Sequence, residues 1–205
     1  MIKLTDILLE ITEIGEKTVQ PHRYSWKGSM PPKLFKKYKK DGEDFNFLDQ
    51  SEFVFSWDPG IKIEGKPVKM FAGLVWDGTI KHEGQMVLLG LEVSFGVINK
   101  NDYNLKNNLV GGGEIYRTLA TVIDGIADFY DAYKDEIGYF KIEPESVIKG
   151  GSDDKGHKRM NLYRAYIQRH PKISPNFTVL ERDGNLILVN KHVPEEYKDS
   201  LGNAF

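Results

Sequence analysis

The chain contains no cysteine. That absence excludes disulfides, thiolate nucleophiles and zinc or iron–sulfur centres held by cysteine. An excess of one charge is missing too. The 28 Lys and Arg residues against 30 Asp and Glu leave a net charge of −2, so the chain carries no overall basic field of the kind on which non-specific nucleic-acid binding relies. No apolar run approaches the about 20 residues that cross a bilayer as a helix. The N-terminus, MIKLTDILLEITEIGEK, has acidic residues from Asp6 onward and lacks the basic-then-apolar order of a secretory signal. These absences point to a soluble protein working in a cytoplasm, with no membrane association and no strong nucleic-acid signal. The five histidines are isolated in sequence, so a metal site built from them needs long-range convergence, and no serine sits in a G-x-S-x-G elbow.

What is present is a core. Of the 205 residues, 40% are apolar and 12% aromatic, enough to fill one ordinary domain with an additional N-terminal segment. Residues 1–50 read as a helix and connector, 51–193 as the main domain and 194–205 as a polar tail that frays. Ile2, Leu4, Ile7, Leu8, Ile11 and Ile14 recur near helical spacing, with Thr5 as N-cap and Gly15 as stop. KLFKKYKKDGED reads as a solvated turn or as a basic patch, and acids follow the lysines at once.

A strand-rich region comes next. SEFVFSWD alternates, DPG turns, and IKIEGKPVKMFAGLVWDG offers one or two strands ending at an Asp77-Gly78 turn. QMVLLGLEVSFGVI reads as a central strand, with Gly90 and Gly96 marking a bulge or a close approach. After three glycines, Ile115, Leu119, Val122, Ile123, Ile126 and Tyr130 form one face of a helix. GYFKIEPES supplies a short strand. A second helix, ended by His170-Pro171, turns Leu162, Tyr163, Tyr166 and Ile167 inward. FTVLERDGNLILVNK is a hairpin around Asp183-Gly184. The order predicts an α/β or α+β layered domain, with a mostly antiparallel sheet flanked by helices.

Gly111, Gly112 and Gly113 open the long helix. They are either a flexible strand-to-helix turn or a cradle in which unsatisfied helix N–H groups, at the positive end of the dipole, meet a phosphate. Glu92 in LGLEVSF points either to solvent or inward as a base, and Tyr163 is either a core aromatic or an acid. Glu64-Gly65-Lys66 has the E-x-K spacing of metal-dependent nucleases, yet it is also an ordinary hairpin tip, and no aspartate partner is evident upstream. GGSDDKGHKR, residues 150–159, is a polar loop running into the second helix.

Asn108-Leu109-Val110-Gly111-Gly112-Gly113 resembles the pyrophosphate loop of the GNAT superfamily of N-acetyltransferases, with Asn108 where that family has Gln or Arg. The element order from Glu52 to Lys191 is similar as well: a central strand, a phosphate-binding loop and helix, a strand, a helix carrying a tyrosine, and a closing pair of strands. The resemblance implies a GNAT-like fold and transfer of an acetyl group from acetyl-coenzyme A to a small-molecule or protein amine. It implies Glu92 as base and Tyr163 as the acid that protonates the thiolate. Backbone near Phe95 and Val97 would hold the pantetheine arm, Asn108 and Gly111–Gly113 the pyrophosphate, and Lys158 a phosphate of the cofactor.

EVSFGVINKNDY, YRTLATVIDGI and HKRMNLYRAYI also resemble a set of uncharacterised tailed-phage proteins, over residues 85–167. That likeness implies a phage-encoded, non-catalytic binding or virion-associated protein, acting on a phage or host protein in the host cytoplasm or the virion. The feature that separates the two readings is the mouth beside Gly111–Gly113. A sheet splayed open there favours a cofactor, and a mouth filled by the first helix or by SWKGSM favours a scaffold.

Overall fold

The computed structural model of the protein describes residues 19–28, 30, 34, 53–63, 65–99, 102–104, 112–142 and 154–202. The expected N-terminal helix and most of the lysine-rich segment lie outside them. In chain order the elements are β1 Tyr24–Trp26, β2 Phe53–Trp57, β3 Lys62–Ile63, β4 Lys66–Pro67, β5 Lys69–His82, β6 Gln85–Asn99, β7 Asp102–Asn104, α1 Gly112–Tyr133, β8 Ile137–Ile142, α2 Asp154–Arg169, β9 Phe177–Arg182, β10 Asn185–Asn190 and α3 Glu195–Gly202.

The main sheet has the order β1-β2-β5-β6-β8-β10-β9, with β7 added beside β6. Among the described residues every pairing in it is antiparallel except β6 with β8, which is parallel because α1 carries the chain back across the sheet between them. The fold is therefore a mixed α/β domain on a mostly antiparallel sheet. β3 and β4 form a small separate hairpin in which Ile63 pairs with Lys66; Glu64 lies outside the described residues.

Alternation on β6 sorts the core. Leu89, Leu91, Val93 and Phe95 pack with Leu119, Val122, Ile123 and Ile126 of α1 and with Met160, Tyr163 and Ile167 of α2 in one buried cluster. Both helices thus cover one face. Leu88 points the other way and joins Ile80, Tyr139, Ile187, Val193 and Leu201. Leu201 belongs to α3, so part of the segment expected to fray is a helix, with acids in its first turn as the dipole favours and one buried leucine as its anchor. Among the described residues no helix is long and apolar enough to cross a membrane.

The Asp183-Gly184 hairpin forms as expected, both residues having positive φ (50° and 78°), as a type I′ turn requires. Asp77-Gly78 does not turn. β5 runs through it to His82, and the reversal falls at Glu83-Gly84, again with two positive φ values (49° and 79°). Pairing steps from Trp76–Leu91 to Gly78–Gly90, which leaves Asp77 as the extra residue of a bulge. The cause lies across the sheet. A Cβ on Gly90 would sit 2.0 Å from Cζ of Tyr139, and one on Gly78 would sit 2.9 Å from its hydroxyl. The Tyr139 ring crosses β6 where Gly90 leaves room.

His170, just past the end of α2, is buried. Its Nε2 lies 3.8 Å from Asp124 of α1, and its Nδ1 has no hydrogen-bond partner among the described residues. Burial above all lowers its pKa, with Asp124 opposing. The unfolded chain then takes up a proton near the ordinary histidine value of about 6.5 before the folded one does. Stability should be complete above that pH and fall as pH drops through it. Urea midpoints at pH 7.5 and 5.5 will differ for the parent and converge for His170→Gln.

Candidate functional site

β6 is the longest strand, and only part of its second edge is matched by β8. β5 lines one edge from Gln85 to Ile98. Along the other edge β8 pairs from Leu89–Ile137 to Val93–Ile142, and β7 pairs from Val97 to Asn99. Between them, Ser94, Phe95 and Gly96 have no strand partner on that side among the described residues. Among the described residues β6 thus runs on past its last pair with β8, leaving an unmatched stretch, or wedge, along that edge.

The residues singled out in sequence distribute around this wedge. Phe95 lies in the unmatched stretch with its side chain buried toward the helices, and the Tyr163 ring packs on it at 6.1 Å between centroids. Val97 is buried and stands opposite Asn104 of β7. Gly112 and Gly113 are the first residues of α1, and Lys158 lies in the N-terminal part of α2. Asn108 and Gly111 lie outside the described residues. Phe95 and Tyr163 therefore meet, and nothing described brings Lys158 to them.

Glu92 is one residue before the ladder ends and belongs to the other face. Its Oε2 accepts from Lys141 Nζ at 3.3 Å, and the same ammonium lies 3.3 Å from Asp77 Oδ1. Tyr139 donates its hydroxyl to the second Asp77 oxygen at 2.8 Å. Burial first, and then that hydrogen bond to an acid, push the Tyr139 phenol above its ordinary value. Glu92 and Tyr163 are thus held on opposite faces of the sheet.

Sequence reasoning missed Asp77, Tyr139 and Lys141. Alternation in IGYFKI places Tyr139 and Lys141 on one face, which was a usable signal. Asp77 was hidden because Asp-Gly in a strand-rich segment reads as a turn. Comparison with family models, with curated proteins and with solved structures yields no match.

Proposed function

We propose that the protein is a GNAT-like acyltransferase that moves the acetyl group of acetyl-coenzyme A onto an amine. The observation that supports this reading is the wedge: among the described residues β6 and β8 form the one parallel pair of the main sheet, and β6 continues past their last pair, Val93–Ile142. A thioester placed there would lie at a sheet edge, between the two faces. That matters because the base and acid candidates are on different faces, and elsewhere the closed ladder would keep them apart.

In this mechanism Glu92, or a water it orders, takes a proton from the amine. The amine nitrogen forms a bond to the acetyl carbon as the carbon–sulfur bond breaks, and the electron pair leaves on sulfur. Tyr163 gives its proton to that thiolate. Backbone groups beside Phe95 orient the pantetheine arm, and the first N–H groups of α1 at Gly112 and Gly113 hold the pyrophosphate. Holding both substrates in register contributes much of the acceleration. Trp26, from the SWKGSM segment, also suits this reading. It packs on Phe55 and Phe129 at the β1 edge of the sheet, three strands from β6.

One observation favours the rival scaffold reading, a phage-encoded binding protein. Tyr163 is 4% exposed and packs in the core as an ordinary aromatic does. Calorimetry with acetyl-coenzyme A separates the two. The parent should bind, and Gly112→Asp, which sets a carboxylate against the pyrophosphate, should bind at least about tenfold more weakly. A folded parent that does not bind leaves the glycines as a turn and the scaffold reading in place.

A further inference from the structure

The sheet face turned away from α1 and α2 carries a cavity of about 280 Å³. Four strands and the β9–β10 turn build it: Asp77 from β5, Tyr139 and Lys141 from β8, Arg182 from β9, Asp183 from the turn, and Asn185 and Ile187 from β10. Glu92 of β6 lies next to it, outside the lining, and is tied to it by its ion pair with Lys141. The volume is just under the range of drug-sized pockets, which suits a small polar molecule and not a nucleotide.

Its charges are sorted in space. Two carboxylates, Asp77 and Glu92, share the Lys141 ammonium, each at 3.3 Å, so the contacting oxygens are no farther apart than twice that distance. Asp77, Glu92 and Asp183 against Lys141 and Arg182 make three negative charges to two positive, a surplus that attracts a second ammonium to the Asp77–Glu92 side. Arg182 stands on the far side in the strand order. Its side chain is 55% exposed, and its Nε forms a long ion pair with the 91% exposed Asp183 at 3.9 Å, beyond hydrogen-bond distance. A guanidinium held so loosely can present a fork of donors to a ligand carboxylate.

We infer that this cavity binds a small zwitterionic amine of free amino-acid size, with its ammonium at Asp77 and Glu92 and its carboxylate on Arg182. The role as acceptor rests on the acyl-transfer reading, but the binding does not. Glu92 immediately precedes the last β6–β8 pair, so an amine held beside it faces the wedge proposed for the thioester.

The test is amide-resolved NMR titration of the whole protein, without coenzyme, using glycine, methylamine and N-acetylglycine. Glycine should shift the amides of Tyr139, Lys141, Arg182 and Asn185. Methylamine, which lacks the carboxylate, and N-acetylglycine, which lacks the ammonium, should each bind about tenfold more weakly or worse. Arg182→Gln, at an exposed position that leaves the fold intact, should bring glycine down to the affinity of methylamine and leave methylamine unchanged. Equal shifts from the three ligands, shifts elsewhere, no shifts, or an Arg182→Gln protein that binds glycine like the parent would overturn the assignment. Glycine binding alongside failed acetyl-coenzyme A calorimetry would keep this site and remove acyl transfer. The reverse pair of results would keep acyl transfer and remove this acceptor.

Discussion

Asn190→Leu is expected to lose about 4 kcal/mol of stability, more than most single substitutions cost. Asn190 is 4% exposed and uses both ends of its amide. Its Oδ1 accepts from the Tyr130 hydroxyl at 3.0 Å and from the His192 backbone N–H at 2.9 Å. Its Nδ2 donates to the carbonyls of Ile137 at 2.8 Å and Lys134 at 3.3 Å. One side chain thus ties the end of β10 to the segment between α1 and β8. Leucine fills the volume but leaves buried carbonyls and a hydroxyl without partners, each costing about 1–3 kcal/mol.

Asn190→Asp sharpens the test. A carboxylate has no donor for the two carbonyls, so the ionised variant is repelled by them and is poorly solvated. Its carboxyl should therefore ionise in the fold only at a pH above the ordinary aspartate value of about 3.9. A raised folded-state value means that the penalty is full at neutral pH and is relieved as pH falls toward that ordinary value. Urea denaturation at pH 7 and pH 4.5 should show the gap between variant and parent narrowing at the lower pH. A gap that stays constant would mean that the amide is not read as donor and acceptor.

Elements whose cause lies within a few residues were legible in the sequence. The Asp183-Gly184 hairpin is one, since its turn needs only two positive φ values and alternating flanks. The long helix is another, because the residues from Leu119 to Tyr130 carry their own period, and all of those named from that stretch are buried. Asp77-Gly78 shows where local reading stops. The same dipeptide is a turn or a bulge depending on what lies across the sheet, and here Tyr139, more than sixty residues later, decides it. α3 had a local signal in Pro194-Glu195-Glu196, a proline and two acids at a helix start, but its single buried leucine gives no period to read.

The candidate site was legible as residues and not as an arrangement. Phe95 and Tyr163 were singled out separately, and only the packing of α2 across β6 brings their rings together. In the sequence alone Glu92 fits solvent as well as interior. The structure gives it neither, since it is half-buried and held by a lysine from a strand that sequence could not put beside it. Parallel register between β6 and β8 sets that pairing, and no local pattern encodes it. The wedge is equally non-local, since it is set by how far the described parts of β6 and β8 run beside each other, to Val93 and Ile142.

Gly125→Ala is the second large effect, and its expected sign opposes helix propensity. Gly125 lies inside α1, where alanine ordinarily stabilises by about 1 kcal/mol. Here a Cβ would sit 2.2 Å from Cζ of Phe55 and 2.7 Å from both Cε atoms. Phe55 is fully buried on β2, with the rings of Tyr24, Trp26 and Trp57 at 5.0, 4.7 and 6.0 Å. The ring has no open space to move into, so α1 must lift from the sheet or the aromatic group must repack. Overpacking of this kind costs about 1–3 kcal/mol and occasionally more, and a contact this short belongs at the upper end. The net expectation is a loss of about 2 kcal/mol for alanine and about 4 for valine, which adds two methyls and a β-branch. Truncating the obstacle tests the cause: in Phe55→Leu the alanine penalty should shrink or reverse, because the propensity gain survives and the clash does not. If Gly125→Ala raises the urea midpoint of the parent, α1 does not lie as close to β2 as this structure has it.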